Sequence, residues 1–223
     1  MREPQVPAWL WRGSMSLLAV ILALGLGLAA ALALGWRSPT PRRPPDWTAP
    51  GSVWSKHGDS TAIFDDADNQ QASLRVRLTQ PDQRAWATAG HKVSDFDLEL
   101  DARSLISSED IGYGLLYRYQ NPANTFLFAL GGDGHYTIAV IQNGTLTPLR
   151  AWQQWPHVRR GAAANRLRVR CVGAVCRFYI NGEFTAEVTD DAFLSGDLGL
   201  WTQTFSDHAL DVIFEELRLW SLN

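Results

Sequence analysis

Short runs of alternating apolar and polar residues recur from about residue 50 to the end of the chain. Alternation with a period of two is typical of β-strands buried on one face, because successive side chains point to opposite sides of a sheet. Apolar residues at helical spacing do not interrupt these runs. The pattern predicts strands at 73–78, 96–102, 112–119, 125–130, 136–142, 146–150, 167–171, 176–180, 184–188, 196–202 and 210–220.

Glycine and asparagine separate many of these runs. The stretch 131–134 reads GGDG, and Asn143-Gly144 and Asn181-Gly182 each stand between two predicted strands. Both residue types adopt the positive φ angles that tight hairpins need. Many short strands joined by such turns, with no helix between them, predict an all-β antiparallel β-sandwich over residues 51–223.

The hairpin that begins at residue 176 has two conceivable registers. A two-residue turn at Asn181-Gly182 places Glu183 and Glu187 among the buried side chains, whereas a three-residue loop keeps them outside. Because burying an unpaired charge is costly, the three-residue loop is predicted. It pairs Ile180 with Phe184, Phe178 with Ala186, Cys176 with Val188, Tyr179 with Thr185 and Arg177 with Glu187.

The chain contains two cysteines, Cys171 and Cys176, on either side of Gly173-Ala174. If those two central residues form the turn, the cysteines face each other across a hairpin as a non-hydrogen-bonded pair, the geometry that accepts a disulfide. A disulfide indicates an oxidising compartment. The alternative is a pair of buried free thiols, which cysteine also tolerates.

Residues 15–34 read MSLLAVILALGLGLAAALAL, a run without a charge. As a helix this run is about 30 Å long, the thickness of the hydrocarbon core of a bilayer. Trp9, Trp11 and Trp36 flank it, where indole rings favour the headgroup region. We expect a tail at 1–14 and a single membrane-spanning helix at 15–36 that contacts lipid.

A cleaved signal peptide is the alternative for this segment, because Ala31-Leu32-Ala33 provides small residues at cleavage-site spacing. The arginines on the two sides of the run are nearly balanced and do not fix its orientation. The expected disulfide instead places the C-terminal domain outside the cytoplasm, in the periplasm or at the cell surface.

Residues 37–50 read RSPTPRRPPDWTAP and contain five prolines. Proline at this density cannot continue a helix and favours the extended polyproline conformation. The stretch is therefore expected to be a semi-rigid spacer between the membrane and the sandwich.

The charge of the chain is unevenly distributed. Residues 1–45 contain five arginines and one glutamate, and the remainder has 15 basic against 22 acidic residues. Nucleic-acid binding depends on neutralising phosphates with basic side chains. A net-acidic domain without a basic tail argues against a nucleic-acid partner.

The C-terminal two-thirds resembles a known fold family. The stretches GYGLLYRYQNPANTFLFALGGDGHYTIAVIQNGTLTPL, NRLRVRCVGAVCRFYINGEF and TDDAFLSGDLGLWT are similar to the concanavalin A-like lectin/glucanase fold, a jelly-roll sandwich. They look most like its laminin-G-like and 3-keto-disaccharide hydrolase-like bacterial surface domains. The shared features, over residues 50–220, are Gly114, Arg118, Tyr136, Asn181-Gly182 and Gly196-x-x-Gly199-Leu200. The resemblance implies the fold; it does not fix a function.

The chain departs from the family where catalysis is concerned. Glucanases of this fold have a strand with the pattern E-x-D-x-E, and the corresponding residues here are Glu99-Leu100-Asp101-Ala102-Arg103. Arginine replaces the second glutamate, so the resemblance does not imply glucanase activity.

Two groups of charged side chains are each predicted to share one face of a strand. Asp97, Glu99 and Asp101 could raise one another's pKa for acid–base chemistry on a sugar, or could form an ordinary solvated face. Arg166, Arg168 and Arg170 could bind an anion or a lipid headgroup, but pairing with acids such as Glu187 or those at 97–101 is favoured.

The stretch FDDADNQ offers oxygen ligands in Asp65, Asp66 and Asp68. Ca²⁺ prefers such ligands, but the spacing lacks the glutamate that completes an EF-hand loop. A polar loop is the default interpretation, with Ca²⁺ as the one cofactor considered.

Trp152 and Trp155 lie in RAWQQWPHV, which reads as a loop between Pro148 and Pro156. They either stack on a ligand at the rim of the sandwich or cover the edge of its core. Together with Arg118 they are the candidate ligand-binding residues.

Histidines at metal-ligand spacing, nucleophile-elbow motifs and phosphate loops do not occur in the sequence. The leading hypothesis is a non-catalytic binding module, tethered outside the cytoplasm, whose ligand is a carbohydrate or an envelope protein. The alternatives are an accessory subunit of a membrane complex and a glycoside-active enzyme that uses Asp97, Glu99 and Asp101.

Overall fold

The computed structural model describes residues 43–66, 73–206 and 209–222. Residues 45–223 form one compact unit. The described part contains one short 3₁₀ helix, Gly51–Val53, and fifteen strands: β1 Trp47–Thr48, β2 Ser55–Gly58, β3 Ile63–Asp66, β4 Ser73–Leu78, β5 Arg84–Thr88, β6 Phe96–Ser104, β7 Ile111–Asn121, β8 Asn124–Gly131, β9 His135–Gln142, β10 Thr145–Gln154, β11 Asn165–Val172, β12 Val175–Ile180, β13 Glu183–Thr189, β14 Asp197–Thr204 and β15 Leu210–Ser221.

The predicted tail at 1–14 and membrane helix at 15–36 lie outside the described residues. Within 43–66, 73–206 and 209–222, no helix is long and apolar enough to cross a membrane. The all-β prediction is confirmed, and every strand predicted from the alternating pattern is present.

The strands form two antiparallel sheets. Sheet A has the order β13-β12-β11-β6-β15-β4-β3, with β1 added beside β15. Sheet B has the order β10-β9-β8-β7-β14-β5-β2. Alternate residues of both sheets point inward and are buried together, as a sandwich requires. At the centre Phe128 packs edge-on against Phe178, and Tyr117 stacks on Phe126, each with ring centroids 5.1 Å apart.

Four short strands, β1, β2, β3 and β5, were not predicted. Strand β1 lies within the predicted spacer: Trp47 pairs with Leu219, and Ala49 is fully buried. The sandwich therefore begins before residue 51, where the sequence placed its boundary. Strands of two to five residues are too short to establish an alternating pattern, so their partners determine them.

The disulfide prediction is confirmed. Cys171 and Cys176 are bonded and face each other in the β11–β12 hairpin, with Val172 opposite Val175. Gly173, in the turn between them, has a φ of +54°, a conformation that glycine adopts without strain.

The predicted register of the β12–β13 hairpin is correct only in the part distant from the turn. Cys176, Arg177 and Phe178 pair with their predicted partners, but Ile180 pairs with Glu183 and Tyr179 with Phe184. The turn is the two-residue one at Asn181-Gly182, and a bulge after Phe178 restores the register that keeps the buried residues inside. Without a bulge, only the three-residue loop keeps Glu183 and Glu187 outside, which is why the alternating pattern favoured it.

Candidate functional site

A row of residues crosses the outer face of sheet B from strand to strand. Its members are direct partners on neighbouring strands, in the order His57, Trp86, Trp201, Gly114, Ala129 and Thr137. Since adjacent strands lie about 4.8 Å apart, the row is roughly 24 Å long. One half of the row has the large side chains of Trp86 and Trp201, and the other half has Gly114 and Ala129. The first half therefore projects further from the sheet, and a ligand can lie against its edge.

Glycines make room for the aromatic rings on this face. A Cβ atom at Gly112 would lie 2.9 Å from the indole ring of Trp201 and 3.3 Å from the ring of Phe205. A Cβ at Gly131 would lie 2.5 Å from Oδ1 of Asp133. The distances to Trp201 and to Asp133 are shorter than carbon side chains tolerate, so larger residues at these positions would displace the groups around them.

One end of this face contains a cavity of about 370 Å³. Trp152 and Phe205 form its aromatic wall, with their rings edge to face at 6.0 Å. Trp152 is 41% exposed, an unusual fraction for an indole in a folded domain. It belongs to strand β10 and not to a loop as the sequence indicated. Among the described residues its lining is Glu109, Asp110, Ile111, Gly131, Asp133, His135, Trp152 and Phe205.

A second cavity of about 160 Å³ lies on the same face, lined in part by Trp86, Tyr119 and Trp201. Trp86 stacks on His57, with centroids 5.7 Å apart. Burial raises the pKa of the Tyr119 hydroxyl, a group that can donate a hydrogen bond.

Trp201 connects the two cavities, because its ring reaches Phe205 over Gly112 at one end and it pairs with Trp86 at the other. We call the surface formed by Trp86, Tyr119, Trp152, Trp201 and Phe205 the aromatic groove.

The two tryptophans predicted from RAWQQWPHV occupy different environments. Trp152 lines the aromatic groove, whereas Trp155 packs against the core and meets Tyr136 edge-on at 6.2 Å. Trp152 lies in strand β10, whereas Trp155 lies just beyond the end of that strand at Gln154, so the two residues have separate surroundings.

Arg118, the third candidate ligand contact, is fully buried. Its guanidinium donates hydrogen bonds to the carbonyl oxygens of Gly173 at 2.6 Å, Phe193 at 3.1 Å and Ser94 at 3.2 Å. Burial lowers the pKa of this guanidinium. The contacts tie three loops together at one end of the sandwich, so we assign Arg118 a structural position and leave it out of the groove.

Asp97, Glu99 and Asp101 do share one strand face, but it is the outer face of sheet A, on the other side of the sandwich from the aromatic groove. Arg168 binds both oxygens of Asp97 at 2.6 and 2.5 Å, and Arg166 binds those of Asp101 at 2.7 and 2.8 Å. Both pairings are bidentate, and the hydrogen bonds to the carboxylates raise the pKa of the Arg166 and Arg168 guanidinium groups.

Further ion pairs cover the rest of that face. They are Arg75–Asp211, Arg77–Asp65, Arg103–Glu215, Arg177–Glu187 and Arg218–Asp101. The expected pairing of the sheet A arginines with acids is therefore confirmed for Arg166 and Arg168, and also for Arg177.

The candidate calcium ligands are only partly described. Asp65 forms an ion pair with Arg77 at 2.5 Å, Asp66 is the last residue of β3, and Asp68 lies outside the described residues. The described ranges contain no group of three or more His, Cys, Asp and Glu residues able to hold a metal ion.

Most of the aromatic groove could not be predicted from the sequence. Trp86, Tyr119, Trp201 and Phe205 come from separate strands and a loop, and the pairing of strands in sheet B brings them to one face. The sequence contains one local signal for the groove. Outward-pointing aromatic residues on this face have glycine or alanine beside them, such as Gly112 and Ala129.

Comparison with known proteins identifies the fold. No protein-family model matches the chain, and neither does any curated protein. Among solved structures it is similar to the carbohydrate-binding module CBM66 from Bacillus subtilis, with 16% identity, a TM-score of 0.61 and coverage of 76% of this chain and 96% of the other.

Two further solved structures show the same likeness. A B. subtilis protein with a galectin-like fold has 12% identity and a TM-score of 0.58, covering 79% of this chain and 96% of the other. The catalytic domain of an endo-1,3-beta-glucanase (laminarinase) from Thermotoga petrophila has 8% identity and a TM-score of 0.56, covering 80% and 98%. At these identities the likeness establishes the fold alone: the chain contains a two-sheet sandwich of the lectin and glucanase type.

Proposed function

We propose that the sandwich is a carbohydrate-binding module whose ligand lies in the aromatic groove. The observation that carries the proposal is the exposed indole of Trp152, set against Phe205 over a cavity of about 370 Å³. Aromatic rings offer flat apolar surfaces to the apolar faces of sugar rings, and nearby polar groups orient the hydroxyls. The carbohydrate-binding module and the laminarinase with the same fold support this assignment.

The groove provides both kinds of contact. Trp86, Trp152 and Phe205 supply the aromatic surfaces, and Tyr119 and Asp133 supply hydrogen-bonding groups beside them. The acids considered for catalysis, at 97, 99 and 101, lie on the other sheet in ion pairs with arginine. Binding is therefore the activity that the groove itself favours.

Replacement of Trp152 by alanine is expected to weaken glycan binding about 30-fold, because an aromatic residue at the centre of an interface contributes about 2 kcal/mol. The unfolding midpoint should stay close to that of the unchanged protein, since the side chain is 41% exposed. Glycan arrays followed by titration calorimetry on the best ligand would measure the effect.

Trp155→Ala is the matched control. That change removes an indole packed against the core, so it should lower stability and leave the affinity of the folded protein unchanged. The assignment of the groove is wrong if Trp152→Ala binds glycan normally, or if the two variants lose affinity equally.

We also propose that residues 15–36 anchor the protein in a membrane, with the sandwich outside the cytoplasm. The run of apolar residues at 15–34 has spanning length, and the bond between Cys171 and Cys176 suits an oxidising compartment. The spacer then consists of ten residues, 37–46, because residues 47–49 belong to the sandwich.

The full chain should remain with the membrane pellet after an alkaline carbonate wash. A Leu24→Arg/Leu26→Arg variant should be released, since each charge at the middle of a spanning helix costs about 3 kcal/mol. An intact-mass measurement showing that the native chain starts after Ala33 would contradict the anchor and establish a cleaved signal peptide.

A further inference from the structure

The cavity beside Trp152 is lined by acidic side chains. Glu109, Asp110 and Asp133 all line it. Within the described ranges, Asp133 pairs with Nδ1 of His135 at 2.8 Å and Asp110 accepts a hydrogen bond from Ser206 at 2.5 Å. No arginine or lysine of the described part lines this cavity.

The outer face of sheet A shows that this arrangement is not general in the protein. Asp97, Asp101, Asp211 and Glu215 there are each bound by arginine. Arg160 lies beside Gly134, the residue that follows Asp133 in the sequence. It does not line the cavity. Among the described residues, acids on the outer face of sheet A are thus paired with arginine, whereas Glu109, Asp110 and Asp133 have no guanidinium partner.

A concave site lined by carboxylates and by no arginine or lysine of the described residues concentrates a negative potential, which attracts cations. The aromatic wall of Trp152 and Phe205 adds to this preference, because the faces of aromatic rings attract cations directly. A metal ion would need several oxygen atoms converging on one point, and the described residues hold no such cluster. An organic cation with an apolar body uses both the rings and the acids.

We propose that this end of the aromatic groove selects a sugar with a protonated amino group. The inference rests on the proposed function and names the ligand class of the same groove. The sugar ring packs on Trp152, and the ammonium group lies toward Glu109 and Asp133. The smaller cavity, which is lined in part by Arg84, then holds neutral sugar residues of the same oligosaccharide.

The test compares two oligosaccharides that differ only at nitrogen. The full-length protein, in detergent, is titrated with a glucosamine tetramer and with its fully N-acetylated counterpart. We expect the glucosamine tetramer to bind at least fivefold more tightly at neutral pH. Because the preference is electrostatic, it should shrink when salt is raised and disappear when the amine is deprotonated.

Glu109→Gln is the diagnostic variant, since the side chain is exposed and its loss removes only a charge from the cavity. It should weaken binding of the glucosamine tetramer about fivefold and leave binding of the acetylated one unchanged. Glu183→Gln, an exposed change at the turn of sheet A, should alter neither.

The outcomes distinguish the proposed carbohydrate site from the proposed preference for an amino sugar. If the acetylated tetramer or a neutral glucan binds as tightly, and Trp152→Ala weakens that binding, the aromatic groove remains a carbohydrate site and the amine preference is wrong. If Glu109→Gln has no effect on a preference for the glucosamine tetramer, the cavity is not its origin and the inference is wrong. If no glycan binds, both proposals are wrong.

Discussion

Replacement of Arg118 by alanine is expected to lower the free energy of unfolding by about 4 kcal/mol. The change removes a fully buried side chain and leaves the carbonyl oxygens of Ser94, Gly173 and Phe193 without the donors they have in the native protein. Hydrogen bonds to a charged donor contribute more to stability than neutral ones. The lost volume of a large side chain adds to the effect.

For a domain of this size, 4 kcal/mol corresponds to a fall of about 10 °C in Tm. Urea unfolding followed by tryptophan fluorescence would measure the free energy directly. The expected cause is the loss of three connections at once: Gly173 belongs to the β11–β12 turn, Ser94 precedes β6, and Phe193 precedes β14. These elements lie in both sheets, so Arg118 fastens the two layers together.

Two further variants separate the causes. Arg118→Lys keeps the charge but loses the planar fork of donors, so it should recover only part of the stability. Arg118→Gly removes the side chain at a position with a φ of +52°, a conformation that glycine adopts freely. It should therefore be somewhat less destabilising than alanine. A Tm for Arg118→Ala within 2 °C of the unchanged protein would contradict the structural role.

Replacement of Glu99 by glutamine is expected to cost about 3 kcal/mol of stability. The Glu99 side chain is only 6% exposed, and its two carboxylate oxygens lie 3.8 Å from nitrogen atoms of Arg168 and Arg218. Removing one charge from a buried ionic network leaves the opposite charges without compensation, and the cost is several kcal/mol. Asp97 and Asp101 retain their own contacts with the same arginines, which limits the loss.

Glu187→Gln is the control, because Glu187 pairs with Arg177 in the same sheet but at an exposed position. It should leave the unfolding curve unchanged, since solvent screens such pairs. Thermal unfolding by circular dichroism would compare the two variants. The catalytic alternative predicts the reverse for Glu99→Gln, a stable protein that has lost hydrolysis of a glycan, and that result would overturn the structural role.

The strands could be predicted because their determinants are local. A strand such as 73–78 or 125–130 alternates between core and surface, and each position contributes to the pattern independently of its partners. The cysteine pair could be predicted for the same reason, since Gly173-Ala174 sets the register of a hairpin within six residues. The β12–β13 turn shows the limit, because a bulge after Phe178 depends on how the whole sheet packs.

The candidate residues could be read from the sequence, but not their roles. The charge pattern placed Asp97, Glu99 and Asp101 on one face, and it could not show that Arg218, from the last strand, crosses that face to bind Asp101. Likewise, the sequence shows Arg118 only as a polar residue on a predicted strand. Its burial and its structural role result from the three loops that contact it in the folded protein.

The sequence by itself determined the fold class, the strand positions and the disulfide, because these depend on period-two patterning and short turns. Only the tertiary structure decided where a ligand can bind. Trp86, Trp152 and Trp201 are far apart along the chain, and they form one groove because β5, β10 and β14 belong to the same sheet. Contacts between distant segments arise from the order in which strands pair, and no local pattern of residues encodes that order.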